Sequence, residues 1–346
     1  MSRPISNPAK GNKVRLQPLN LACIGCGFIA RRHLDNLSTM DQATVTTLVD
    51  TNPQATTAFQ REFAIPATTT DVDQVFSDPH IDAVMICTHH DSHTALAVAA
   101  AAAGKHILLE KPMALTTEEC ATITRAVEQA GVTLAIDYKF RFAPSVVKVR
   151  ELIPEPIVTV GQLVSEITSD HSWTNDPVIG GGLILGHGCH TLDLIYHLNG
   201  SEPVSVYAES IPAEPTAPTE IQAAVATVRF ASGAIASLVL SEAGENPYMS
   251  KWFTEVFDGT RTAVFHHHYQ QVEISGTEPG HVESTGDPHA IGTRDFMADL
   301  LDAALSGKPP AIGARDGLRA TLLANRIVDS LRSGAPESID VDAHFA

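Results

Sequence analysis

The chain has 346 residues, with 23 Lys plus Arg against 40 Asp plus Glu and a formal net charge of −17. It is long enough for two domains with separate cores, and its acidity disfavours nucleic acid and anionic membranes as partners. No run of about 18 apolar residues marks a membrane span, and the first twenty residues lack the apolar core of a signal peptide, although Arg3, Lys10, Lys13 and Arg15 make them mildly basic.

Residues 1–17 are expected to be a flexible arm. After it, Leu21-Ala22-Cys23-Ile24 predicts a first strand at 19–24 that breaks into Gly25-Cys26-Gly27-Phe28-Ile29-Ala30, a GxGxxA turn opening a helix. Gly25 suits the tight turn, Gly27 removes the side chain that would keep a pyrophosphate from the backbone, and Ala30 lets the helix lie close to the strand. Free N–H groups of the first helical turn, at Phe28 and Ile29, then face the anion. A second β-rich run, 44–49, ends at Asp50, 25 positions after Gly25 and near the spacing expected of a ribose-binding carboxylate. Asp50 would accept hydrogen bonds from the ribose 2′-OH of NAD and repel the 2′-phosphate of NADP. Thr51, Asn52 and Pro53 provide no Arg for that phosphate, so NAD is the expected cofactor and NADP is disfavoured. The alternative is an Asp that only caps the helix beginning near Pro53.

Strands at 82–87, 106–109 and 132–136 follow, with helical patterns between them, the clearest from Ser92 to Ala103 and stopped by Gly104. Strands alternating with helices predict right-handed crossovers and a parallel, doubly wound Rossmann sheet over 18–140. Cys23 and Cys26 form a CxxC, but one lies in the first strand and the other in the glycine turn, so packing is the expected role. The odd count of five cysteines, at 23, 26, 87, 120 and 189, suggests no disulfide framework; reduced thiols and a cytoplasmic location are expected.

The rhythm changes after about residue 150. Runs at 157–168, 203–211, 221–230, 234–240, 252–257 and 261–275 read as strands joined by short turns such as Ala231-Ser232-Gly233, with no room for crossover helices from 203 to 275. This predicts an α+β domain over 141–346 with a large, mostly antiparallel open sheet. Helices at 189–198, 291–305 and 314–332 would cover one face, and the Pro-rich 212–218 reads as a loop. The uncovered face predicts a homodimer or homotetramer.

A parallel dinucleotide domain followed by an antiparallel sheet domain, with Glu110-Lys111-Pro112 closing the strand at 106–109, resembles the glucose-fructose oxidoreductase and inositol dehydrogenase family, Gfo/Idh/MocA. Further matching features are GxGxxA at 25–30, Asp50, Cys87-Thr88 with His93 beyond, Phe140-Arg141-Phe142-Ala143-Pro144, and Gly180-Gly181-Gly182 leading to His190 and Asp193. The resemblance implies a nicotinamide-dependent enzyme that oxidises or reduces a secondary alcohol on a sugar, nucleotide-linked sugar or cyclitol. It also implies cofactor contacts at Cys87, Thr88, His93, Glu110 and Lys111. One departure is visible. Many members carry an Asp four residues before the His, where this chain has Gly186 followed by His187.

Hydride transfer from a carbinol requires loss of the hydroxyl proton, so a base must reach that oxygen. His190 is the candidate, since an imidazole titrating near pH 6.5 suits proton exchange in either direction. Lys111, at the carboxyl end of a parallel strand, would hold the same oxygen and stabilise alkoxide charge. The plainer alternatives are a lysine paired with Glu110 and a core histidine. Asp193, three residues after His190, either orients the ring or bonds nearby backbone. Lys139 and Arg141 would present one charged face to substrate hydroxyls or simply be solvated. Trp173 is a candidate to stack on a sugar ring, His89 and His90 to line the nicotinamide side, and His187 to meet substrate. Although His187 and His190, His89, His90 and His93, and His266-His267-His268 are close in sequence, no Cys or carboxylate set completes a tetrahedral site, and no metal is expected. Two other functions fit the same resemblance: an NAD-retaining glycoside hydrolase and a non-catalytic nucleotide-sensing regulator. The pair Lys111 and His190 argues against the regulator.

Overall fold

The computed structural model describes residues 17–165, 172–176, 178–211, 221–242, 244, 250–287 and 290–345. Apart from Gln17, the expected arm lies outside these residues, as does the Pro-rich 212–218. The chain runs β1 (Leu19–Ile24), α1 (Phe28–Leu37), β2 (Ala43–Val49), α2 (Pro53–Phe63), β3 (Ala67–Thr69), α3 (Asp73–Ser77), β4 (Ala83–Ile86), α4 (His93–Ala102), β5 (His106–Leu109), α5 (Thr117–Ala130) and β6 (Leu134–Ile136). These six strands form one sheet in the order β3-β2-β1-β4-β5-β6, and every pair in it is parallel.

Continuous apolar runs explain the central strands, because β1, β4 and β5 are buried on both faces and need no polar alternation. The order reverses between β1 and β4, so the crevice at their carboxyl ends is where an open parallel sheet binds ligands. Helix boundaries follow local chemistry. Asn52 caps α2 by accepting from Gln54 N, with Pro53 at the first helical position. Thr116 and Glu119 form a capping box on α5, and Gly131 ends it in the left-handed region.

From α6 (Pro144–Leu152) the chain continues through β7 (Val158–Val164), α7 (Cys189–Asn199), β8 (Pro203–Ser210), β9 (Ala223–Phe230), β10 (Ile235–Ser241), β11 (Trp252–Phe257), β12 (Arg261–His266), β13 (Gln271–Gly276), β14 (Gly280–Glu283), α8 (Thr293–Ser306), α9 (Ala314–Ser333) and β15 (Glu337–Ser338). The sheet order is β14-β13-β12-β11-β7-β10-β9-β8-β15, antiparallel throughout except for the β7–β10 pair. Helices α7 and α9 pack against β7 and β8, and α9 also meets α5 and β6, tying the two sheets together. From Ala224 to Phe230 strand β9 alternates between buried and exposed residues, and Tyr207, Val225 and Ile235 stand exposed on the helix-free face.

Two sequence expectations change. The run 261–275 is not one strand but the hairpin β12–β13, turned by His267, His268 and Tyr269, all at positive φ. Its three histidines therefore do not alternate along a strand. The three-residue β3 on the edge of the parallel sheet and the short strands β14 and β15 carry too little β pattern to be predicted.

Candidate active site

The first glycine turn sits at the sheet's switch point. Gly25 has φ +91°, and a Cβ there would lie 2.5 Å from the Cys87 carbonyl oxygen, so the close approach of β1 and β4 excludes any side chain. Gly27 is the N-cap of α1, with no side-chain cap and no acidic residue in the first helical turn. A Cβ on Gly27 would meet nothing within 4 Å, which leaves open space in front of the helix terminus. Open space, uncapped N–H groups and the positive end of a helix are what a diphosphate requires, and the residues present fit NAD. Ala30 is buried against the strand, Ile29 is partly buried, and Phe28 is exposed with Arg32 4.8 Å above its ring.

Asp50 is more than a helix cap. Its Oδ2 accepts from Cys26 N at 2.8 Å and its Oδ1 from Asn52 N at 2.8 Å, while Asn52 itself caps α2. Each carboxylate oxygen keeps a lone pair for a further donor. Thr51 beside it is exposed.

The wall beyond β4 is built from histidines. His93 is fully buried and bridges the Pro112 carbonyl at 2.9 Å and the Thr88 carbonyl at 3.3 Å, pinning two loops together; burial lowers its pKa. Thr88 also shares a 2.6 Å hydrogen bond with Ser92, and Cys87 is buried. His90 Nδ1 lies 2.7 Å from the Gly180 carbonyl, and burial, then Lys111, pushes its pKa down to about 2. Trp173 stacks on His89, with ring centroids 4.4 Å apart and planes at 21°, and meets His90 edge-on. In this structure the indole thus faces protein rings.

Glu110 turns inward. Its carboxylate is buried 2.6 Å from His33 Nε2, and its other oxygen accepts from Lys111 N at 3.1 Å. Burial alone would lower the His33 pKa, but the Glu110 hydrogen bond and the Glu110 and Asp137 charges raise it. His33 was not singled out from the sequence, although it falls with Ala30, Leu34 and Leu37 on the buried stripe of α1. Among the described residues, His33, Glu110 and Asp137 are the group whose donor atoms converge as a metal set would; the 2.6 Å contact inside it is a hydrogen bond.

Lys111, at a cis Lys111–Pro112 peptide, does not pair with Glu110 through its ammonium. Nζ donates instead to the Gly186 carbonyl at 3.1 Å, in the π-helical turn Leu183–His187 that leads into α7. His190 lies on the first turn of α7, buried beneath Phe140 and Trp252, with no partner for Nδ1 among the described residues. Burial, then the ammonium groups of Lys111 and Lys139, drives its pKa well below the ordinary imidazole value, which corrects the expectation of titration near neutrality. His187, with Nε2 3.4 Å from Glu242, is lowered to about 3 by burial, Lys111 and Lys251. Two residues enter the site that the sequence did not single out, Glu242 and Lys251.

The predicted charged face of Lys139 and Arg141 does not form, because 139–142 is a 3₁₀ turn. Lys139 stays near His190, with Nζ 5.9 Å from the Phe140 ring centre. Arg141 is buried in an ion triad, with Nε 2.9 Å from Asp193 and Nη1 2.9 Å from Asp316. Asp193 accordingly neither orients His190 nor bonds backbone; it anchors α7 to the 139–142 turn.

Residues 19–138 match a family model described as an oxidoreductase family with an NAD-binding Rossmann fold, and 158–279 match the GFO/IDH/MocA C-terminal domain. An uncharacterised oxidoreductase of Bacillus subtilis is 27% identical over 92% of this chain and 95% of its own length. The myo-inositol 2-dehydrogenase of Thermotoga maritima is 25% identical over 90% of this chain and 96% of its own length. A solved levoglucosan dehydrogenase, in complex with NADH and levoglucosan, superposes with a TM-score of 0.85 at 22% identity, covering 93% of this chain and 100% of that one. No helix among the described residues is long and apolar enough to cross a membrane.

Proposed function

The chain belongs to the Gfo/Idh/MocA family of NAD-binding oxidoreductases, and on that premise we propose that it moves a hydride between NAD(H) and a secondary alcohol or ketone of a sugar, nucleotide-linked sugar or cyclitol, with Lys111 and His190 as the acid-base pair. The observation that carries the reading is the Lys111 to Gly186 hydrogen bond, which brings an ammonium from the parallel sheet to the turn that presents His190. The named activities of the inositol and levoglucosan dehydrogenases favour the same substrate class.

Bound NAD would lie on the Gly25–Ala30 turn with its ribose at Asp50, and supplies the hydride acceptor. Lys111 Nζ holds the substrate oxygen and offsets negative charge growing on it, a contribution strongest where water is excluded. His190 is kept neutral by burial and the neighbouring ammonium groups, so Nε2 is free to take the hydroxyl proton in oxidation and return it in reduction. Glu110, fixed by His33, holds the Lys111 backbone in place. The exposed residues Tyr207, Val225 and Ile235 favour a homodimer or homotetramer through that sheet face, in a cytoplasmic enzyme.

Screening cyclitols, aldoses and nucleotide-linked sugars for NADH formation tests the reading. NAD-dependent absorbance growth with at least one polyol is expected. Bond cleavage without net NADH, or NADH binding with no turnover of any of them, would overturn it.

A further inference from the structure

Beside His190 lies a cation that the proton chemistry does not use. Lys251 immediately precedes β11, with Nζ 5.1 Å over the Trp252 ring, and that ring meets His190 edge-on at 6.2 Å. Among the described residues no carboxylate lies within ion-pair distance of its ammonium; the nearby Glu242 is turned to His187, 3.4 Å away. Lys251 is half-buried, and burial, then the Lys111 charge, lowers its pKa against the pull of Glu242, so the two ammonium groups share one field. A partly buried ammonium held on the ring that borders His190, with no carboxylate of its own among the described residues, is placed to attract an anionic group of a molecule bound at His190.

We propose that Lys251, seated on Trp252 beside His187, is an anion subsite, so that the substrate is a polyol or sugar carrying a carboxylate or phosphate. The inference rests on the dehydrogenase reading for the carbinol beside Lys111 and His190, and adds the charge of the rest of the molecule. Net charge does not explain the subsite, because the chain as a whole is at −17 and would repel anions at long range. An ammonium is a point charge that accepts either anion without the fixed fork of an arginine, and the indole face beneath it limits its movement.

Trp252 carries the Lys251 ammonium over its ring and meets His190, so tryptophan fluorescence reports occupancy of the proposed subsite. The test titrates the NADH-loaded protein with D-glucuronate, D-glucose 6-phosphate and D-glucose. At least one anion should saturate at roughly tenfold lower concentration than glucose, and which one does so separates carboxylate from phosphate. Lys251→Met should abolish the preference and Lys251→Arg retain it, both with native NADH affinity. Glucose binding as tightly as both anions, no saturable response to either anion, or a preference surviving in Lys251→Met would overturn the proposal. Failure of the native protein to bind NADH would instead refute the dehydrogenase reading.

Discussion

The Lys111 ammonium donates a 3.1 Å hydrogen bond to the Gly186 carbonyl, joining the end of β5 to the π-helical turn that leads to His190. Where many relatives are expected to carry an Asp, this chain has a glycine whose Cβ would lie 2.6 Å from the Gly180 carbonyl oxygen. The turn is therefore packed around the missing side chain, and its backbone oxygen serves as the acceptor for the lysine. Gly186→Ala should cost about 1–3 kcal/mol of stability through overpacking and lower kcat by displacing that acceptor. Unchanged Tm and kcat in this variant would remove the packing argument.

The glycines of the first turn should separate folding from cofactor binding. Gly27→Ala has room for its methyl group and should keep stability within about 0.5 kcal/mol while weakening NADH roughly tenfold or more, since the methyl projects into the space reserved for the diphosphate. Gly25→Ala combines positive φ with a clash against Cys87 and should destabilise by about 2 kcal/mol or more. Thermal melts and NADH fluorescence titration of both variants check the pair. Native NADH affinity in Gly27→Ala would place the diphosphate elsewhere.

Asp50→Ala should weaken NAD by about 1.5–3 kcal/mol if the carboxylate also receives the ribose hydroxyls. The loss of its bonds from Cys26 N and Asn52 N makes Asp50→Asn the better control, because the amide oxygen keeps one acceptor at the turn. Calorimetric titration with NAD and NADP should show NAD losing more than NADP. Equal losses would reduce Asp50 to a structural brace.

The His190 ring should remain neutral well below pH 6. Its folded pKa lies below the unfolded value, so protons bind preferentially to the unfolded chain; its contribution to stability is complete above about pH 6.5 and is lost as pH falls, by about 1.4 kcal/mol per unit. NMR of the His190 ring between pH 5.5 and 8 should show no titration, and the acid limb of kcat should not follow a group near 6.5. A ring titrating near 6.5 would restore the behaviour expected from sequence.

The parallel sheet was legible because its buried strands are written as apolar runs such as Ile107-Leu108-Leu109, and the glycine turn because a second β-run ending at Asp50 follows it at the spacing of a ribose-binding carboxylate. Pairings distant in sequence were not. Arg141 looked like a surface charge until the fold brought it Asp193 and Asp316, 52 and 175 positions away. His266 to Tyr269 looked like strand, since nothing local announces that three non-glycine residues will take positive φ. Lys251 carries no motif; only its seat on Trp252, whose ring meets His190, gives it a role. Lys111 and His190 were named from motif positions, and their shared surroundings come from contacts between the two sheets.

The central claim is that Lys111 and His190 act as one unit on one substrate oxygen. The most direct measurement is kcat for Lys111→Ala, His190→Ala and the double variant, each saturated with NAD and a substrate identified by the polyol screen. Each single change should reduce kcat by roughly a hundred- to ten-thousand-fold, and the double variant should be about as slow as the slower single one. Near-native turnover in either single variant, or losses that multiply in the double, would contradict the account.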